Sequence, residues 1–281
     1  MSTVVLLAVF VTIAAAAGAA GLDVCVPEKE GAAVVTPIKG VCKAKYTATA
    51  LLPKAEQVKL QTILPYEKLV ASGIGGKPTL QITGANLQIL SGSGFTNTGF
   101  NGAGNLIIGY DESPGEQTGS HNLIVGNEHS YISAGSIIGG QRNTAANQGT
   151  VVFGNNNKAN SLDSSVTGGE GNKTAGAYAS VSGGANDTAG GYAGSVSGGS
   201  GNLTSNHYAS ISGGQNNRSE GEGSSISGGL ENYAGTPPNS VEFASPDASV
   251  SGGQGNKSQG RASSILGGHN NTVETEWGHF P

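Results

Sequence analysis

From Val166 to Gly268 one four-residue phrase keeps returning. It is V-T-G-G at Val166, then V-S-G-G or I-S-G-G at Val181, Val196, Ile211, Ile226 and Val250, and I-L-G-G at Ile265, at intervals of 15, 15, 15, 15, 24 and 15 residues. A period held that strictly means one small unit stacked on copies of itself, each burying its apolar side only against its neighbours. That excludes a globular domain with a single unique core.

The columns can be read by counting the Val or Ile as zero. Ser precedes it in every copy, Ser or Thr follows it in six of the seven, and two glycines come next. At plus six stand Asn172, Asp187, Asn202, Asn217, Asn232, Asn256 and Asn271, an amide or carboxylate in every copy. At plus eight the residue is small or β-branched, from Thr174 and Ala189 to Ser258 and Val273. Fifteen residues with no 3.6-residue apolar spacing are too few for a helical hairpin and suit one coil of a parallel β-solenoid.

Within a coil, a lone Val or Ile between two hydroxyls is a short strand with one side chain turned inward. The Gly-Gly pair supplies positive φ at one corner, and the Asn column is expected to form a second corner, because Asn tolerates the left-handed region. Stacking sets identical residues ~4.8 Å apart, so the Asn and Ser columns are expected to become hydrogen-bonded ladders. The fold class is therefore all-β: a parallel β-solenoid, or β-roll, of about 15-residue coils. One coil buries too little to fold alone, and so thin an interior points to several chains packed side by side.

The G-x-x-S-S-I-S-G-G phrase and its return in each coil resemble the head repeats of trimeric autotransporter adhesins, the YadA-like head, over roughly Asn105 to Asn271. The resemblance implies a left-handed parallel β-roll, three chains around a common axis, and a role in adhesion. No membrane barrel, heptad stalk or wall-anchoring signal follows the repeats, so the expectation is a head-like module that is secreted or held by its other end.

In chain order, residues 1–20 carry an apolar run, Val4 to Ala20, ending in small residues, and read as a signal peptide or an uncleaved anchor. Residues 21–50 read as a small β unit, with Val24, Val26, Val34 and Val35 on short strands. Cys25 and Cys42 are the only cysteines, and in an exported chain two most simply form one disulfide. Residues 51–74 read as a helical neck or linker, the helix running from Pro53 to Ser72. Residues 75–281 are the solenoid, opening with the alternating T-L-Q-I-T-G-A-N-L-Q-I-L from Thr79 to Leu90.

Apolar-rich coils follow at Leu106, Leu123, Ile137 and Val151, and their extra large residues suggest a thicker, nucleating end. The longer connections, Phe95 to Gly104, Tyr110 to Ser120 and the excess after Ile226 with Pro237 and Pro238, read as surface excursions. Glu274 to Pro281, with the one tryptophan, Trp277, reads as a cap over the last strand edge.

Composition narrows function. Net charge is −5, only 12% of residues are charged, and the 14 Lys plus Arg are spread singly, so no basic stripe for nucleic acid or anionic lipid is expected. The histidines, His121, His129, His207, His269 and His279, show no paired metal spacing, although His121 and His129 flank one strand-like stretch. The carboxylates Asp163, Glu170, Glu220, Glu222 and Glu231 are scattered, against a polysaccharide-cleaving site. The glycines lack the Lys and helix of a phosphate loop, and a 15-residue period carrying Asn differs from calcium nonapeptides. The N-x-S/T triplets at Asn172, Asn186, Asn202, Asn217, Asn256 and Asn270 fall out of the repeat register itself, so their number says nothing independent about glycosylation.

Two outward features could bind. Tyr178 and Tyr208 share a repeat position, with Tyr192 one residue off, giving an aromatic stripe for sugars or for packing between chains. The Ser and Thr columns resemble hydroxyl arrays of ice-binding solenoids. The expectation is thus a non-enzymatic extracellular surface or matrix protein without cofactor, a homotrimer facing a matrix, glycan or cell-surface ligand, with no membrane span in the mature chain. The other readings are a glycan-, ice- or calcium-binding solenoid and a polysaccharide-acting β-helix enzyme.

Overall fold

The computed structural model describes residues 23–28, 42–50, 62–112, 116–236 and 246–281. The chain divides into two compact units, Met1–Leu87 and Gln88–Pro281. Among the described residues no helix is long and apolar enough to cross a membrane. Residues 1–20 lie outside them.

In the first unit, Asp23–Pro27 pairs antiparallel with Tyr46–Ala50, so the partner of the Val24 and Val26 strand is a later segment than the expected Val34 and Val35, which lie outside the described residues. The Cys25 side chain also lies outside them, and with it the expected disulfide. Of the segment read as a helix, the part through residue 61 is outside too. Thr62 and Ile63 are helical, but the segment's end is not: Glu67–Val70 forms an antiparallel hairpin with Thr79–Ile82, joined through Gly75 and Gly76 at φ 62° and 72°. The Ile74 N–H donates to Thr79 Oγ1 (3.0 Å) and the Thr79 hydroxyl to Lys77 O (3.1 Å), which fixes the turn and outweighs the apolar spacing that suggested a helix. The strand expected to run to Leu90 stops at Ile82, where Gly84 turns at φ 70°.

The second unit is a parallel β-solenoid. A ladder of twelve strands runs from Leu106–Ile108 to His279–Phe280, and one of ten from Ser130–Tyr131 to Thr272–Val273. Between them single parallel bridges join Asn155, Glu170, Ala185 and their equivalents as far as His269. Like positions pair with like, Val166 with Val181 and Val196 with Ile211. The 24-residue interval also closes in register, Ile226 on Val250 and Tyr233 on Lys257. Its excursion, residues 237–245, lies outside the described residues.

From Ile124 onward one aliphatic side chain per coil is fully buried: Ile124, Ile138, Val152, Val166, Val181, Val196, Ile211, Ile226, Val250 and Ile265. Opposite it the second ladder turns in a small residue, such as Ala159, Thr174, Ala189 or Ser219. Sizes compensate along the stack. A Cβ on Gly194 would lie 2.9 Å from Thr204 Oγ1 and one on Gly278 2.6 Å from Val273 Cγ1, whereas Ser219 and Ser258 instead pair by hydroxyls with Ser224 and Ser263, both at 2.7 Å.

The first coils differ from this pattern. Here the inward residues Ile124, Ile138, Val152 and Val166 recur every 14 residues, and the strands Leu123–Asn127, Ile137–Gln141 and Val151–Asn155 are five residues long. Later coils insert one more residue before the positive-φ glycine, and the strand shortens to two. The expected thicker interior is not formed. Strand alternation turns the neighbours of each buried aliphatic outward, so Val125, Ile137 and Phe153 are exposed, and in the first strand Leu106, Ile107 and Ile108 all are. Glu274–Pro281 likewise does not cross the last edge as a cap: His279–Phe280 pair in parallel with Ser264–Ile265 as a further strand, leaving Trp277 exposed.

Candidate ligand-binding faces and the amide ladder

The plus-six column is buried, and it is not the corner expected of it. Positive φ falls one residue earlier, at Gly171, Asn186, Gly201, Asn216, Glu231, Gly255 and Asn270. The column itself is a continuous internal ladder. The Asn172 N–H donates to Asn157 Oδ1 (2.7 Å), Asn217 N–H to Asn202 Oδ1 (3.0 Å), and Asn256 N–H to Asn232 Oδ1 across the long interval (3.0 Å). Each Nδ2 closes the corner: that of Asn172 donates to Gly168 O and Gly184 O, and that of Asn217 to Gly213 O and Gly229 O, all at 3.0 Å. The adjoining glycines are required, because a Cβ on Gly169 would strike Gly184 O and the Asn172 amide.

Two substitutions in this ladder show what the position demands. Asp187 accepts from the Asn202 N–H at 2.8 Å, while its buried Oδ2 has no hydrogen-bond partner. That oxygen lies over Gly184 as the amide nitrogens of Asn172 and Asn202 lie over Gly169 and Gly199, a place built for a donor. Burial raises the Asp187 pKa from its ordinary value.

His129, fully buried, is the second. Its Nδ1 accepts the Asn143 N–H (3.2 Å), so its proton sits on Nε2 and donates to Val125 O (3.3 Å). Its own N–H donates to Asp111 Oδ1 (3.0 Å), so Asp111 and His129 continue the ladder into the first coils. Beside them Tyr131 is buried, its hydroxyl pushed up to about 12 by desolvation and by the Asp111 carboxylate. His121 is separate: it accepts the Ser91 N–H at Nε2 and donates from Nδ1 to Thr96 O, both at 3.0 Å, clamping the 91–96 loop to the stack. Among the described residues no three His, Cys, Asp or Glu converge on a metal position.

Outside, three columns face solvent. On the first ladder, half-buried serines from Ser165 to Ser264 run beside exposed hydroxyls from Thr167 to Ser251. On the second, Lys158, Lys173, Arg218 and Lys257 fall into one exposed column, interrupted by Thr188, Leu203 and Tyr233. Charges single in sequence are thus aligned by the period, although neutral residues interrupt the column and Arg218 faces Glu220. Glu220, on that face, lies 3.8 Å from Arg218 and accepts the Tyr233 hydroxyl at 2.9 Å; burial and that carboxylate push the tyrosine pKa up.

The third column is aromatic. Tyr178, Tyr192 and Tyr208 are 49%, 42% and 58% exposed, and their rings stack edge to face at 5.2 and 5.8 Å, with the His207 ring 5.8 Å from Tyr192. Tyr178 and Tyr208 hold φ near +60° at a corner that other coils fill with Gly223, Asp247 or Ala262. A bulky residue there costs roughly 1 kcal/mol relative to glycine. No family model matches the chain, and no curated protein is similar to it.

Proposed function

We propose that the chain is a non-enzymatic extracellular surface or matrix protein, an adhesin-like head module whose β-roll presents an aromatic corner to a ligand. The observation that carries this reading is the Tyr178, Tyr192 and Tyr208 stack: exposed rings at successive coils, two on unfavourable backbone, arranged to meet the apolar faces of sugar rings. The resemblance to YadA-like heads supports a homotrimer. So does the apolar outer face of the first coils, with Leu106, Ile108, Val125, Ile137 and Phe153 offering a surface for chains to pack. The apolar run Val4 to Ala20 supports export.

A single solenoid face that binds glycan, ice or an anion is the second reading, favoured by the hydroxyl and basic columns. The test is light scattering across a hundredfold dilution together with a glycan array. A persistent trimer that binds sugars, and loses them when Tyr178 and Tyr208 are replaced, supports the first reading. A persistent monomer sinks the head-like assembly.

A further inference from the structure

The fold divides the six N-x-S/T triplets into two kinds. In four of them, at Asn172, Asn202, Asn217 and Asn256, the Asn stands at plus six and the hydroxyl at plus eight, both facing inward. These amides are 0–1% exposed and their hydroxyl partners, Thr174, Thr204, Ser219 and Ser258, are fully buried. Both Nδ2 hydrogens are committed to glycine carbonyls, for instance Asn202 to Gly198 O and Gly214 O and Asn256 to Gly252 O and Gly268 O.

The other two sit one residue earlier. Asn186 and Asn270 occupy the outward corner at φ 57° and 56°, both exposed, with the hydroxyls of Thr188 and Thr272 two residues on, also on the outer side of the strand. The Asn186 amide makes no side-chain hydrogen bond with the described residues, and Asn270 makes one, of 3.4 Å, to His269. One residue of register therefore turns the same motif from an internal strut into an accessible acceptor.

We propose that Asn186 and Asn270 are acceptor sites for N-linked glycan and that the four ladder asparagines are not. Transfer joins Nδ2 to the anomeric carbon of a sugar, breaks that carbon's bond to the diphosphate of a lipid-linked oligosaccharide, and releases the Nδ2 proton with the lipid diphosphate. At a ladder position the product lacks one of the two corner hydrogen bonds and has no room between coils, so a chain modified there before folding cannot close its stack. The inference rests on the export reading, because the transferase acts outside the cytosol.

The test is to secrete the chain from a glycosylating yeast, once behind its own N-terminal segment and once behind a yeast leader. Protease-resistant folded protein is then deglycosylated enzymatically in heavy-oxygen water and its peptides are mapped. The expected result is label at Asn186 and Asn270 and none at the ladder sites, with Thr188→Ala and Thr272→Ala each removing one glycan and leaving the fold and the other glycan intact. Label at any ladder asparagine of folded protein, or at neither corner asparagine, overturns the proposal. Glycan with the yeast leader but none with the native segment defeats the export reading and leaves both acceptor sites standing.

Discussion

The coils that carry Ile124, Ile138 and Val152 and those from Val166 onward share one internal plan and differ in nearly everything outside it. Both bury one aliphatic and one ladder residue per coil. The early coils close in 14 residues, wear Val125, Ile137 and Phe153 on the outside, and seat a histidine and a tyrosine within. The later coils take 15, replace the outer apolar residues with Ser and Thr, and keep amides within. The inside is therefore set by the geometry of stacking, while the outside is free to vary, and the apolar surplus of the early coils belongs to a surface rather than to a core.

The sharpest way to break the comparison is to cut the shared ladder. Asn217→Ala removes the acceptor for Asn232 N–H and the donor to two glycine carbonyls. Gly229 O keeps the Gln215 N–H, but the buried Asn232 N–H loses its acceptor, Gly213 O loses the amide and a void takes its place, so the loss should be about 4 kcal/mol by urea denaturation. His129→Asn, in the early coils, should stay within about 1 kcal/mol of the parent, because Asn can accept from Asn143 and donate to Val125 as the imidazole does. If His129→Asn proves as costly as Asn217→Ala, the two regions do not share one ladder.

Inside and outside can be separated on adjacent residues. Ile138→Ala should cost about 3 kcal/mol, since its side chain is wholly enclosed. Ile137→Ser, one residue away and 41% exposed, should change the stability of a single chain by less than about 0.5 kcal/mol. If copies pack through this face, Ile137→Ser together with Phe153→Ser should also lower the mass seen by light scattering. Equal destabilisation by both substitutions would mean that the outer face is structural.

Asp187 gives a smaller effect with a defined sign. Its folded pKa is raised above the ordinary 3.8, so the folded chain holds a proton that the unfolded chain releases, and stability falls as pH rises from about that value through the folded one. Asp187→Asn restores the missing donor and should raise stability at neutral pH by about 1–2 kcal/mol while removing that part of the pH dependence. Thermal melts of both proteins from pH 3 to 8 decide it: parallel curves would mean that the Asp187 carboxyl is not held protonated.

Much of this architecture is legible before any coordinates. A period of 15 with Val or Ile between hydroxyls specifies parallel stacking and names the inward residue. The amide column is equally visible, because each coil must satisfy buried backbone groups at the same place. What stays hidden is where a corner turns relative to that column, since Asn suits both a left-handed corner and a buried ladder, and the exposed Asn186 and Asn270 take the first role while their neighbours take the second. His129 is hidden for a related reason: an imidazole reproduces the amide's pattern of one acceptor and one donor with no resemblance in the letters. The basic column escapes notice because Lys158, Lys173, Arg218 and Lys257 are neighbours only once the stack exists.

A small stability effect at Tyr208 carries the most functional information. Tyr208 holds φ 59° with a bulky side chain, at a corner where Gly223 serves the next coil. Tyr208→Gly should leave stability unchanged or raise it by up to about 1 kcal/mol, because glycine accepts that conformation freely, an advantage reduced by removal of the edge-to-face stacking on Tyr192. If the ring is kept to meet a ligand, the same variant should lose sugar binding on an array while melting no lower than the parent. A variant that loses stability by more than about 1 kcal/mol and keeps binding would show that the ring braces the stack. The aromatic corner would then be a packing feature, and the hydroxyl and basic columns would become the faces to probe.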